Sequence, residues 1–276
     1  PSMHSSQNEQ DSRYYGEFAK IPVFEPHSQQ EAYDMTREAF GYSEAVGLPV
    51  MLRLVTRLAH SRANVTRRAP DAERASGLGR PNPNDWTLVP TNARRRFEHL
   101  LSVQPRLLED SERSAYNHLR LASARGVITT GLALNYLREA VGERHDLSHL
   151  HIGTYPIPVS LVRDLAAHCD DILVLEEGYP FVEARLRGLL GLHGKAVRGR
   201  QSGAVSLSGE LTPDSVAAAL GVRLAQETLP PLPDLAGRPP QLCRGCPHTD
   251  SFRALVEATS GYQEPVLFGD IGCYTL

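Results

Sequence analysis

Four cysteines and one tryptophan in 276 residues, with aromatic side chains at 7%, leave little material for a cross-linked or aromatic-rich scaffold. Thiols this sparse do not staple a chain of such length together. Three of them, Cys243, Cys246 and Cys273, fall near the C-terminal end, a grouping that suits metal or redox chemistry in a reducing compartment. No charge of one sign prevails, since 29 Lys and Arg against 32 Asp and Glu give a formal −3. Bulk electrostatics therefore points to no nucleic-acid partner, and there is no acidic tail. No stretch approaches the ~20 apolar residues of a membrane helix, and the longest are soon broken by Arg or Gly. Lysine is nearly missing, at positions 20 and 195 only, so the arginines between residues 62 and 96 reflect the habit of the whole chain rather than an anion patch. What is present, 41% hydrophobic and 22% charged residues, is the balance of an ordinary soluble globular protein with room for one large domain or two.

The chain opens on PSMHSSQNEQ, without an initiator Met or a signal-peptide pattern, and closes in a glycine turn, GDIGCYTL. It is expected to be an internal piece of a longer polypeptide. From Gln29 the spacing predicts a helix with Ser28 as N-cap, Gly47 as stop, and Ala32, Met35, Ala39 and Phe40 on its apolar face. A short buried strand follows in LPVMLRLVTRLAH, and then a Pro- and Asn-rich connection. Residues 92–124 read as a mostly polar helical stretch whose apolar side is Phe97, Leu100, Leu101, Leu107 and Leu108. From Gly126 strand and helix alternate at short spacing: GVITTG, LALNYLREAV, HLHIGTYPIP, VSLVRDLAAHC, DDILVLEEG and FVEARLRGLLG, then GELTPDSVAAAL with Thr212 as N-cap and Pro213 in its first turn. The fold class expected is α/β, with several domains built on doubly wound parallel sheets. The expected divisions are residues 1–66, a linker with helices over 67–125, a parallel-sheet domain over 126–225, a Pro-rich linker over 226–240, and a last segment over 241–276.

Chemistry concentrates in that last segment. In Cys243-Arg244-Gly245-Cys246-Pro247-His248 the Cys-x-x-Cys turn aims two thiolates at one point, and Cys273, from a glycine turn after a strand, could supply a third. The spacing suits zinc or an iron–sulfur cluster, and thiols also occur as small buried hydrophobes. His248 reads as a turn residue or hydrogen-bond partner before a ligand. The glycines of Gly269-Asp270-Ile271-Gly272-Cys273 would let backbone N–H groups approach a diphosphate, with Asp270 ordering the turn or a metal-bound water. Cys169 is expected to be buried and to stand apart. Glu176 and Glu177 invite an acid/base role, although a structural one is the stronger expectation.

LCRGCPHTDSFRAL and GDIGCYTL, preceded in order by QQEAYDMTREAF, PVMLRLVTRLAHSR, GVITTGLALNYL, IGTYPIP, ILVLEEGYPFVE and GELTPDSV, resemble the 2-oxoacid:ferredoxin oxidoreductases. The resemblance lies with the alpha subunits that act on indolepyruvate, and it covers nearly the whole chain apart from the Arg-rich linker. It implies the late part of a pyrimidine-binding domain, a transketolase C-terminal-like domain, and the opening of a thiamin-diphosphate-binding domain. It also implies a cytoplasmic enzyme that oxidatively decarboxylates aryl pyruvates to aryl-acetyl-CoA. The cofactors implied are thiamin diphosphate, Mg2+ and a 4Fe-4S cluster, with coenzyme A as co-substrate and a beta subunit and ferredoxin as partners. Cys243, Cys246 and Cys273 map onto cluster ligands, and Gly269, Asp270, Gly272, Cys273 and His248 onto the cofactor's surroundings. Arg13 and His60 become candidates for holding the 2-oxoacid carboxylate. The alternatives are an oxidoreductase of the same kind with another 2-oxoacid, or a non-catalytic zinc-stabilised α/β module using the three cysteines and His248.

Overall fold

A computed structural model describes residues 10–69, 89–142, 146–187, 195–206, 209–223 and 241–267, together with Asn82, Asp85 and Thr87. The chain divides into two compact units, Pro1–Leu224 and Ala225–Leu276.

The first unit is built on a five-stranded sheet of β3 (Asn117–Arg120), β4 (Arg125–Thr130), β5 (Ser148–Ile152), β7 (Asp171–Leu175) and β8 (Ala196–Arg198), in the order β3-β5-β4-β7-β8. Strands β5, β4, β7 and β8 run parallel, and β3 joins the edge antiparallel. The central strands β4 and β7 are buried almost throughout because both faces are covered. Alternation along them sorts the side chains. Val127, Leu173 and Leu175 pack with α5 (Ala133–Val141) and α8 (Pro213–Leu220). Ile128, Ile172 and Val174 pack with α6 (Val159–His168) and α7 (Phe181–Arg187). Helices on both faces of a parallel core make the expected doubly wound arrangement.

A second, three-stranded sheet lies in the same unit, formed by β1 (Val23–Phe24), β2 (Met51–Leu52) and β6 (Thr154–Tyr155) in the order β2-β1-β6. β6 follows β5 after a single residue, Gly153, at which an added Cβ would sit 2.8 Å from the Tyr116 carbonyl oxygen. This strand change ties residues 10–69 to the large sheet. Residues 66 and 125 both lie inside the first unit, and the boundary between the units falls after Leu224.

Local signals decide the helix ends. In α2 (Gln29–Val46) the Ser28 hydroxyl accepts from the Glu31 N–H, and Gly47 closes the helix in the left-handed region. In α8 Thr212 and Ser215 form a capping box around Pro213. The apolar face assigned to α2 needs one correction: Met35 is fully buried, but Phe40 is 75% exposed. Two further expectations change, and one helix is new. The helical stretch of residues 92–124 is α4 (Pro90–Glu112), after which the chain turns into β3; within α4 Leu107 is buried, while Phe97 and Leu101 face outward. The strand expected in LPVMLRLVTRLAH shrinks to β2, with α3 (Thr56–His60) close behind it. α1 (Arg13–Ala19) precedes β1.

In the second unit the Cys-x-x-Cys turn leads into α9 (Pro247–Thr259), which buries none of its residues.

Candidate functional site

Two places gather chemistry in the first unit, both beside the carboxyl ends of the large sheet's strands, and a third lies in the second unit. The largest is a buried ion cluster. Arg13 is 1% exposed and its fork is spent within the protein. Nε donates to Asp11 Oδ1 at 2.9 Å, Nη1 to Glu176 Oε2 at 2.8 Å, and Nη2 to the carbonyls of Glu177 and Tyr179 at 3.0 and 2.9 Å. Arg53 pairs with Glu25 and donates to the Glu177 carbonyl at 2.9 Å. The Tyr155 hydroxyl donates to Glu25 Oε2 at 2.7 Å. Two glycines make room: an added Cβ at Gly131 (φ +44°) would lie 2.7 Å from Glu25, and one at Gly178 (φ +94°) 2.7 Å from Asp11.

Glu176 closes the cluster against α7, accepting N–H bonds from Phe181, Val182 and Glu183 at 2.9 to 3.2 Å. Burial pushes its carboxyl up from the ordinary range against the opposing pull of Arg13 and of the Val182 and Glu183 N–H groups. Burial would also raise Asp11, but its hydrogen bonds to Arg13 and the charges of Arg13 and Arg53 hold it below its ordinary value. Arg13 thus stands where a charge is structural, with every part of its fork engaged, rather than offering a free guanidinium to a ligand carboxylate. His60 lies exposed at the C-terminal end of α3. Glu176 and Glu177 are buried as acceptors within the fold, as their structural expectation had it.

The second place joins His27, Glu31 and His151. Glu31 Oε2 lies 2.6 Å from His27 Nδ1 and accepts the His27 backbone N–H at 2.7 Å. His151, on β5, is 1% exposed. Its Nδ1 lies 3.0 Å from Thr129 Oγ1, which also meets His149 Nε2 at 2.8 Å. Burial, reinforced by the neighbouring His27, His149, His118 and Arg138, holds the His151 imidazole well below its ordinary value and therefore neutral. Nothing singled these residues out beforehand. The available signal was the alternation His149-x-His151 on a strand, which puts both rings on one face.

In the second unit the Cys246 N–H donates to the Cys243 carbonyl at 2.9 Å, and Gly245 at φ +80° makes the turn. Both cysteines are free, Cys243 exposed and Cys246 half-buried. Cys246 Sγ lies 3.5 Å from His248 Nδ1. The structure therefore places Cys243 and Cys246 on the turn and His248 in the first turn of α9. Gly269, Asp270, Gly272 and Cys273 lie outside the described residues. Cys169 is buried at the C-terminal end of α6, as expected.

No protein-family model matches the chain. It aligns along its whole length with the indolepyruvate oxidoreductase subunits IorA of Archaeoglobus fulgidus and Methanothermobacter marburgensis, each at 34% identity, and of Pyrococcus horikoshii at 32%. Over its full length the chain is similar to the IorA subunits. It spans about half the length of these relatives, 46%, 47% and 46% of each. Among solved structures, a 2-oxoglutarate:ferredoxin oxidoreductase from Magnetococcus marinus, with 2-oxoglutarate, coenzyme A and succinyl-CoA bound, aligns over 72% of this chain and 41% of its own. The TM-score is 0.49 and the identity 14%. Among the described residues no helix is long and apolar enough to cross a membrane.

Proposed function

We propose that this chain works within the alpha subunit of an oxidoreductase that oxidatively decarboxylates aryl pyruvates, indolepyruvate foremost. The reaction yields aryl-acetyl-CoA and passes electrons to ferredoxin, with a beta subunit as partner and the cytoplasm as compartment. The observation that carries this reading is the end-to-end similarity to subunits that are themselves named for indolepyruvate oxidation. The parts assigned to the chain are a pyrimidine-side segment, a transketolase C-terminal-like sheet domain, and the opening of the diphosphate-binding domain.

The donor set of the Cys-x-x-Cys turn fits a soft metal: two free thiols on a turn held open by a positive-φ glycine. In the proposal Cys243 and Cys246, with Cys273, would ligate an iron–sulfur cluster, and His248 would belong to the cofactor's surroundings. Gly269, Asp270, Gly272 and Cys273 would hold the diphosphate and its Mg2+. Thiamin diphosphate, when bound, supplies the electron sink that lets the carboxylate depart as carbon dioxide. The chain's own described residues do the framing. The ion cluster around Arg13 fixes residues 11–25 against the carboxyl ends of β4 and β7, and glycines there keep that approach close. His60, exposed, is the candidate for meeting the substrate carboxylate.

The test is anaerobic turnover by the full-length subunit assembled with its beta partner, following ferredoxin reduction with indolepyruvate and coenzyme A. Indolepyruvate should outpace pyruvate and 2-oxoglutarate. Reduction with 2-oxoglutarate but not indolepyruvate would overturn the substrate. Calorimetry of the 276-residue chain with thiamin diphosphate and magnesium should give no tight binding, and tight binding would overturn the assignment of only part of the cofactor site to this chain.

A further inference from the structure

We infer that His27, Glu31 and His151 form a binding site for a divalent transition metal of the zinc class, separate from the Cys-x-x-Cys turn. One ligand atom from each of the three residues lies within 4.8 Å of the other two. In a tetrahedral site with metal–nitrogen and metal–oxygen bonds of about 2.0–2.2 Å the ligand atoms stand ~3.3 Å apart, so no pair of this set has to approach by more than about 1.5 Å. Two imidazoles and one carboxylate, with a fourth position left for water, make a donor set that suits zinc.

An independent observation points the same way. His151 Nε2 is buried and has no hydrogen-bond partner among the described residues. A buried ring nitrogen without a partner costs free energy unless something occupies its lone pair. Its other nitrogen is already oriented, because Nδ1 meets Thr129, which in turn meets His149. With the proton run from His151 Nδ1–H to the Thr129 oxygen, and from the Thr129 hydroxyl to His149 Nε2, the lone pair stays on His151 Nε2. This is the outer hydrogen bond that fixes a metal-ligating histidine in the right tautomer.

The sequence places the ligands with little freedom. His151 sits opposite Thr129 in the β4–β5 register. Glu31 lies in the first turn of α2, and His27 stands just before that helix, with its carbonyl held by Asn135 Nδ2 at 2.8 Å. Side-chain exposures of 19% at His27 and 10% at Glu31 leave the outer side open to solvent, where the fourth ligand and the entry path lie. Any proton on the ligating His27 nitrogen leaves to solvent when metal enters.

The test uses the purified protein stripped of metal by chelation and then titrated with Zn2+ or Co2+. His27→Ala and Glu31→Gln, at partly exposed positions, carry it, since replacing the core residue His151 risks the fold. Beyond whatever the thiols hold, the parent should bind one further equivalent. With Co2+ that equivalent should give ligand-field bands without thiolate charge-transfer absorption. Zn2+ at a hundredfold excess over its dissociation constant should raise the melting temperature of the parent by about 5–10 °C. His27→Ala should lose that equivalent and the rise while melting within a few degrees of the metal-free parent, and Glu31→Gln should weaken binding at least tenfold. Equal metal stoichiometry and equal Zn2+-induced shifts in the parent and a folded His27→Ala would overturn the site, as would a parent that takes up metal through its thiols alone.

Discussion

Replacing Arg13 with Met separates a structural charge from a substrate-binding one. The substitution keeps most of the aliphatic length and removes every donor of the fork, leaving Asp11 and Glu176 buried together beside one remaining guanidinium, Arg53. Breaking one side of a buried pair costs about 3–5 kcal/mol. The acceptors that Arg13 abandons each keep another donor. Glu176 retains the N–H groups of Phe181, Val182 and Glu183, Asp11 retains the Tyr179 N–H at 3.0 Å, and the Glu177 carbonyl retains Arg53. The expected loss is therefore at the low end, about 3 kcal/mol, a fall of about 6–12 °C in melting temperature for a unit of this size. Urea unfolding should show a lower midpoint with an unchanged slope. The pH dependence carries a sign of its own. Asp11 is held below its ordinary value, so its contribution to wild-type stability is complete above about pH 3.8 and is lost as pH falls through its folded value. The gap between wild type and Arg13→Met should accordingly narrow under acid. A variant within ~0.5 kcal/mol of wild type that binds a 2-oxoacid more weakly would refute the reasoning and return Arg13 to the substrate.

Gly131→Ala puts a Cβ 2.7 Å from Glu25 at φ +44°, and should lower stability by about 2–4 kcal/mol in urea melts, whereas Gly221→Ala, at φ +71° with no atom within 4 Å, should cost only the ~1 kcal/mol of the backbone; equal losses would count against the close approach at Glu25. Burial, then the charge of Glu25, pushes the Tyr155 hydroxyl well above its ordinary value of 10, and burial, then the charge of Glu177, raises Tyr136. Because an unfolded tyrosine ionises above pH 10 while the folded one keeps its proton, stability should be complete below that pH. It should then decline, approaching about 1.4 kcal/mol per pH unit for each of Tyr155 and Tyr136 once the unfolded side chain is ionised. Urea midpoints that stay flat from pH 9.5 to 11 would contradict this. With Cys273 replaced by Ser, a thiol reagent should label Cys243 and Cys246 within minutes and Cys169 only after unfolding, as read by mass spectrometry; prompt labelling of Cys169 would show its side of the sheet to be open.

The parts of this fold that could be read from the sequence are those whose causes are local. Ser28 and Thr212 start helices because a hydroxyl two or three residues from an orphan N–H is a short-range event, and Ile172 to Leu175 announce a strand covered on both faces because nothing polar interrupts them. The parts that could not be read depend on partners distant in the chain. Whether β3 joins the sheet antiparallel, and whether two residues after Gly153 leave one sheet for another, is decided by pairing across about thirty positions and more than a hundred respectively. Phe40 fits the period of its helix, yet the helix turns that edge outward because Met35 and Val46 already meet what lies beneath.

The ion cluster is the sharper case, since Asp11, Arg13, Glu25, Arg53 and Glu176 are ordinary surface residues by type and meet only in the folded chain. A trace of it was nevertheless present. Both strands that end at the cluster finish in a glycine after polar residues, Thr129-Thr130-Gly131 and Glu176-Glu177-Gly178, and each glycine sits where a Cβ would strike a buried carboxylate. Glu176, buried between the strand and the helix, has given up water and must find donors. Within one short segment the only donors of fixed position are the free N–H groups of the helix about to begin, and these are the groups Glu176 accepts. An acidic pair and a glycine between a buried strand and a helix therefore mark a capping carboxylate held inside the fold before they mark an exposed acid or base. By the same logic the cation that neutralises it must come from elsewhere in the chain, which is the role Arg13 fills.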